Sequence, residues 1–215
     1  MPKVTEEYLE SRRNFILDCA TKVIREKPLY RMTMRDIIKE TKLSQGAIYR
    51  YYSSLEEIYI AIANRDIPIG IMEKQMDKII SSGEKPTTIM LEGFRIIAEY
   101  IILLQDTLGG KMYFELLVLY AQNIKETENL IAKMNFKQSL GYIQSRFMGY
   151  TLDHIEKGDF KPIISTKALM DFIGVSMDGI LDDTAISSMN GKDIDVLTLC
   201  DTLAKSILYF LNLKE

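Results

Sequence analysis

Gln45 and Arg50 are the side chains of this sequence best suited to reading a nucleic-acid base edge, because an amide pairs two-pronged with adenine and a guanidinium with guanine. They sit in the run Ser44-Gln45-Gly46-Ala47-Ile48-Tyr49-Arg50-Tyr51-Tyr52. Ser44 can cap a helix, which leaves Gln45, Gly46 and Ala47 as a first turn whose free backbone N–H groups favour phosphate. Ile48 and Tyr52 are expected to face inward, and Gln45, Tyr49, Arg50 and Tyr51 outward. Elsewhere the materials for catalysis are thin. His154 is the single histidine, and Cys19 and Cys200 stand far apart in the chain. A metal centre, a histidine triad or a CxxC redox pair therefore has no raw material, and reduced, buried thiols are expected. Gly109-Gly110 has no strand before it and no Lys-Ser or Lys-Thr after it, so it reads as a helix breaker and not as a phosphate cradle. No enzyme activity, metal or cofactor is expected.

The elements that must hold Gln45 and Arg50 are two short helices and a tight turn over residues 33–52. Thr33 can cap the first helix with Asp36 completing a box, and Met34, Ile37 and Ile38 supply its buried stripe. Lys42 stands in the turn, where a left-handed backbone would strain it by about 1 kcal/mol. A preceding helix is read from Thr5 to Glu26, since Ile16, Cys19, Ala20, Val23 and Ile24 recur at the spacing of one helical face. Pro28 ends it. A following helix opens at the Ser54-x-x-Glu57 capping signal and carries Ile58, Tyr59, Ile62 and Ala63 inward as far as Ile67-Pro68.

From about Arg12 to Ile58 the chain resembles the DNA-binding domain of the TetR family of bacterial transcriptional regulators. The Ser44–Tyr52 run and the Ser54-Leu55-Glu56-Glu57 that follows it carry the resemblance. Three positions depart from the family pattern: Pro28-Leu29 and Lys42 where glycines are usual, and Leu55 where a phosphate-contacting lysine often stands. The resemblance implies a helix-turn-helix domain over residues 1–54 and a helical ligand-binding and dimerisation domain over 55–215. It further implies a homodimer on a roughly palindromic double-stranded operator, repression as the usual habit, and release of DNA by a small molecule. Gln45 and Arg50 are the expected base contacts; Thr33, Ser44, Gly46, Ala47, Tyr49 and Tyr51 are expected to position phosphates or the helix itself. The alternative reading is a helical protein-interaction module in which DNA binding is secondary or lost.

Charge agrees with that division. The net charge is −3, but residues 1–55 hold 11 Lys+Arg against 7 Asp+Glu, leaving an acidic remainder. Positive charge is thus gathered where a polyanion would be met. Beyond residue 55 the periodicity is helical throughout, without alternating strand patterns, and about nine helices are expected in an all-α protein. One helix is expected to stop at Gly109-Gly110, a central one to run from Lys111 to Gln122, and a long one from Glu126 to Lys157. Phe94, Tyr113, Phe114, Leu117, Tyr120, Met134, Tyr142, Phe147, Met148 and Met177 form an aromatic and methionine set that could line a pocket for a lipophilic effector, or equally form ordinary core. Glu115 is the one charge among them. Phe172, Gly174, Gly179, Leu199, Leu203 and Phe210 lie on the last two helices, where surplus apolar surface asks for a second copy. Pro68 is the expected hinge between the two domains. No apolar run approaches the roughly 18 residues that span a bilayer, and the opening residues lack the layout of a secretion signal, so a cytoplasmic protein is expected.

Overall fold

A computed structural model describes residues 5–67, 70–120, 129–189 and 191–213, without the side chains of 114, 117–120, 188 and 189. Over these residues the chain is all-helical, with ten named α-helices, one 3₁₀ turn and a short helical stretch at residues 129–131. The N-terminal group comprises α1 (Glu6–Glu26), the 3₁₀ turn (Leu29–Arg31), α2 (Met34–Thr41), α3 (Gln45–Tyr49) and α4 (Leu55–Asp66). The remainder comprises α5 (Ile71–Ile80), α6 (Pro86–Asp106), α7 (Leu108–Tyr120), α8 (Asn135–Glu156), α9 (Thr166–Met189) and α10 (Val196–Phe210). In the core α10 lies along α6, α5 packs on α8 and α6, and α7 passes between α4 and α9.

Three boundaries differ from expectation. The break between α6 and α7 falls at Thr107, whose backbone is extended, and Gly109-Gly110 lies inside the first turn of α7. These glycines are there for contact. A Cβ on Gly109 would stand 2.9 Å from the Cα of Ala63 in α4, and one on Gly110 would run into the carbonyl of Leu104. The helix expected from Glu126 to Lys157 is interrupted: residues 129–131 are helical, a turn follows at 132–134 with Met134 extended, and α8 begins at Asn135; residues 121–128 lie outside the described residues. The segment 71–80, unassigned from sequence, is the amphipathic helix α5. Pro68 lies outside the described residues, but α4 ends at Asp66 with Ile67 extended.

The two groups are joined by specific polar contacts as well as by packing. Asn64 of α4 accepts from the backbone N–H of Asn135 at 2.7 Å and donates to the Lys133 carbonyl at 3.0 Å, so a side chain of α4 caps α8. In return the Asn135 amide donates to the carbonyl of Asn64 at 3.3 Å. Glu115 of α7 accepts from the Leu29 N–H at 2.9 Å, which answers what that lone charge does: it holds the start of the 3₁₀ turn. Cys19 and Cys200 are both buried and free, and burial pushes the Cys200 thiol up to about 11, far from a reactive thiolate at neutral pH. His154 closes the end of α8, its Nδ1 2.8 Å from Asp159 and its ring stacked on Phe160.

Gly109→Ala should lower the stability of the whole chain by about 1–3 kcal/mol, since backbone and not a flexible side chain must yield. A thermal melt that is unchanged would show that the α4–α7 crossing has slack.

Candidate nucleic-acid interface

Local chemistry builds this site. At the start of α2 the Thr33 hydroxyl accepts from the Asp36 N–H at 3.4 Å and donates to the Asp36 carboxylate at 2.7 Å, while that carboxylate also accepts from the Thr33 N–H at 2.8 Å. The same Asp36 oxygen meets the Lys27 ammonium at 2.7 Å, which ties the end of α1 to the cap. The hydrogen bond from Lys27, then that from Thr33, holds the Asp36 carboxyl below the usual carboxylate range. Thr33's hydroxyl proton is thereby committed within the cap. Ser44 caps α3 by accepting from the Ala47 N–H at 3.3 Å, and its own proton stays available. Ser54 accepts from the Glu57 N–H, but the Glu57 carboxylate reaches the Ser53 N–H at 2.6 Å, one residue earlier than a capping box requires.

Lys42 takes the left-handed conformation, φ 56° and ψ 20°, and its N–H donates to the Ile38 carbonyl. The turn therefore keeps the geometry that glycine usually supplies, with lysine bearing the strain. Ile37 and Ile48 are fully buried and Tyr52 nearly so; they press α2 and α3 against α1 and α4. With Ile48 inward, Gln45, Gly46, Tyr49 and Arg50 stand in solvent on the opposite face of α3, and Ala47 is half-buried. Tyr51 is half-buried and packs on the core, with less of its ring outward than the sequence pattern suggested.

Charges around α3 separate into paired and free. On α1, Arg13 reaches Glu6, and Arg12 bonds the Tyr8 hydroxyl at 3.0 Å while lying over its ring. The Tyr8 hydrogen bond raises the Arg12 guanidinium above its ordinary value. Lys22 meets Glu40. By contrast Arg35, Lys39 and Lys42 are exposed along one face of α2 with Arg31 beside them, and no carboxylate lies within ion-pair distance of any of them among the described residues. This row is absent from the residues expected above; its i, i+4, i+7 spacing is the sequence signal for one helical face. In helix-turn-helix docking the first helix crosses the phosphate backbone, so the row lies where such charges act. Leu55 is half-buried and packs inward.

The other expected residues fall in three places. Phe94 and Phe147 meet edge-to-face at 5.0 Å in the core, and Gly93 leaves the room that Phe147 fills. Tyr113, Met134 and Met177 are buried and Met148 half-buried, whereas Tyr142 is at the surface with its hydroxyl on Asp77 at 2.7 Å. The side chains of Phe114, Leu117 and Tyr120 lie outside the described residues. Among the described members of the set, Tyr142 thus stands at the surface, apart from the buried ones. On the last two helices Leu203 is buried within its own chain and Phe210 half-buried, while Phe172 and Leu199 are exposed. Gly174 and Gly179 face open space, with no atom within 4 Å of where a Cβ would stand.

A capped two-helix unit with a free, polar second-helix face defines a helix-turn-helix DNA-binding domain. Residues 16–62 match the family model of bacterial regulatory proteins, tetR family. The chain is 26% identical over 202 residues to the HTH-type transcriptional regulator YfiR of Bacillus subtilis, covering 91% of each chain. It is 39% identical over 57 residues to the HTH-type transcriptional regulator HbdR of an Aromatoleum species, 26% of this chain and 23% of that one. The fold is similar to that of Salmonella enterica GusR, with a TM-score of 0.55 at 17% identity over 98% and 99% of the two chains. It is also similar to Bacillus subtilis FadR, solved with stearoyl-CoA, with a TM-score of 0.50 at 18% identity over 90% and 96%. No helix of the described residues is long and apolar enough to cross a membrane.

Lys42→Gly should stabilise the chain by about 1 kcal/mol by releasing the left-handed strain, read from urea unfolding. Asp36 has a depressed carboxyl, so its contribution is present at neutral pH and is lost as pH falls below about 4, through the folded value. Asp36→Asn should flatten that acid limb of the stability profile; a limb that keeps its shape would assign it to other carboxylates.

Proposed function

We propose that the chain acts as a two-fold homodimeric repressor whose two α3 helices enter successive major grooves of a palindromic operator, and that a small lipophilic molecule releases it. The observation that carries this reading is the outward face of α3. Gln45 and Arg50 stand free on a helix whose cap and inner face are otherwise fully engaged. Arg50 and Gln45 read guanine and adenine edges. Ser44, Gly46 and Tyr49, with the row Arg31, Arg35, Lys39 and Lys42, hold phosphates and replace the contact that Leu55 lacks.

One recognition helix reads too few base pairs to compete with genomic DNA, so a second copy is needed. Phe172 and Val175 on α9 are exposed, Val175 at 74%, and the open space over Gly174 and Gly179 lets another helix approach closely. This face, with Leu199 of α10, is the proposed dimer surface. A ligand acts by favouring one of two arrangements of α7 against α4, since α7 touches both the core and the DNA-binding group through Gly109 and Glu115. The fold it shares with FadR, solved with stearoyl-CoA, supports a lipophilic effector.

Fluorescence anisotropy with DNA from upstream of the gene, against scrambled DNA at two salt concentrations, tests the reading. Site-selective binding that survives the higher salt is expected. Arg50→Ala should narrow the gap between site and scrambled DNA by about 1–3 kcal/mol. Equal loss on both DNAs would make Arg50 a phosphate contact, and equal weak binding by the native chain would favour an interaction module.

A further inference from the structure

The cations on and beside α1 are held in two ways. Arg13 reaches Glu6, Lys22 meets Glu40 and Lys27 meets Asp36, so each of these has a carboxylate. Arg12 has none within ion-pair distance among the described residues. Its Nε donates to the Tyr8 hydroxyl at 3.0 Å, and its guanidinium carbon stands 5.3 Å from the centre of the Tyr8 ring. The two residues are four apart on one helical face, the spacing at which such a pair forms. With Nε engaged, the two terminal nitrogens of the fork remain free to donate. Arg12 is half-buried, although Ser11, Arg13 and Asn14 around it are exposed. It is thus a permanent cation, held in place and not neutralised.

What lies next to it gives the charge a use. Apart from Tyr8, the group that acts on the Arg12 charge is the Tyr51 hydroxyl. Tyr51 follows Arg50 directly, just past the end of α3, so Arg12 flanks the C-terminal end of the base-reading helix. Phosphate contacts fix the register and orientation of such a helix. At the N-terminal end of α3 the groups available for them are the Ser44 cap and the α2 row, which ends at Lys42. At the C-terminal end Leu55, which opens α4, packs inward and offers no charge. Arg12 stands there with its fork free.

We infer that Arg12 is a phosphate contact of this chain, its two terminal nitrogens closing on the DNA backbone beside the C-terminal end of α3, and that Tyr8 is the residue that positions it. A planar fork matches a phosphate with two parallel hydrogen bonds. A side chain already held by a ring and a hydroxyl gives up less freedom on binding than one extended into solvent. Both residues precede residue 16, where the match to the family model begins, so the contact belongs to this chain's own first turns and not to the recognition motif. The inference rests on the DNA-reading proposal above and adds to it an anchor that carries no sequence information.

The test uses the full chain and two fluorescent duplexes of equal length, the DNA upstream of the gene and a scrambled sequence, titrated by anisotropy across a series of potassium chloride concentrations. Arg12→Ala and Arg12→Gln should weaken binding to both duplexes by the same factor, at least about tenfold at low salt. They should also make the slope of log affinity against log salt shallower by about 1.8 for a bound dimer, two lost contacts at about 0.9 each. Glutamine keeps the stem and a donor for Tyr8, so it separates loss of charge from loss of packing. Tyr8→Phe keeps the ring and removes the hydroxyl; it should weaken binding about threefold with the slope retained, and should do nothing further when Arg12 is already alanine. A slope unchanged in both Arg12 variants, whatever happens to Tm, makes Arg12 and Tyr8 a surface pair that stabilises α1 and overturns the inference. Binding by Arg12→Gln as tight as by the native chain does the same. Loss on the upstream fragment with the scrambled duplex unaffected overturns the phosphate assignment in favour of base reading. An effect of Tyr8→Phe that persists without Arg12 overturns the positioning role. In each of these cases the native chain still binds DNA and the DNA-reading proposal stands; if the native chain binds neither duplex, both fall.

Discussion

The clamp on α4 is the constraint on which the rest of the structure depends. This helix belongs to the DNA-binding group by its buried face, where Ile58, Tyr59 and Ile62 complete the core under α1. It belongs equally to the C-terminal group, because Ala63 sits against the first turn of α7 and Asn64 satisfies the start of α8. A helix held by close backbone packing on one side and by capping hydrogen bonds on another cannot shift alone. Any rearrangement of the core must carry α4 with it, and α4 carries the base of the helix-turn-helix.

Glu115 adds a second attachment of a different kind. Its carboxylate takes a backbone N–H at the very start of the turn between α1 and α2, so α7 grips the DNA-binding group at Leu29 as well as through α4. Tyr59 of α4 donates to the carbonyl of the same residue at 3.4 Å. Leu29 is therefore held at both backbone polar groups by residues from two helices. The helix-turn-helix group is thus attached at two points to the C-terminal helices.

Strain and shortfall in the reading domain are local and small against its packing. Lys42 keeps the turn that glycine would make more easily, at a cost near 1 kcal/mol, because the surrounding burial of Ile37 and Ile48 leaves the chain no better route. Leu55 has turned inward, and unpaired basic side chains on α2 supply positive charge in its place.

The sequence by itself determined whatever depends on residues a few positions apart. The caps at Thr33 and Ser44, the left-handed turn at Lys42, the inward Ile48 and Tyr52 and the all-helical class were all legible there, since capping and helical periodicity act over one or two turns. The row Arg35, Lys39 and Lys42 is equally local, since its spacing alone puts it on one helical face. Tertiary structure alone decided the rest. Gly109-Gly110 looks like a breaker in sequence and proves to be a crossing point, because its partner Ala63 is far away along the chain. Asn64 with Asn135 and Glu115 with Leu29 likewise have no local signature. The aromatic and methionine residues read as a pocket lie on helical faces that sequence could identify as apolar. Which of those faces close upon one another, and which leave a gap, depends on how helices distant in the chain are set against each other.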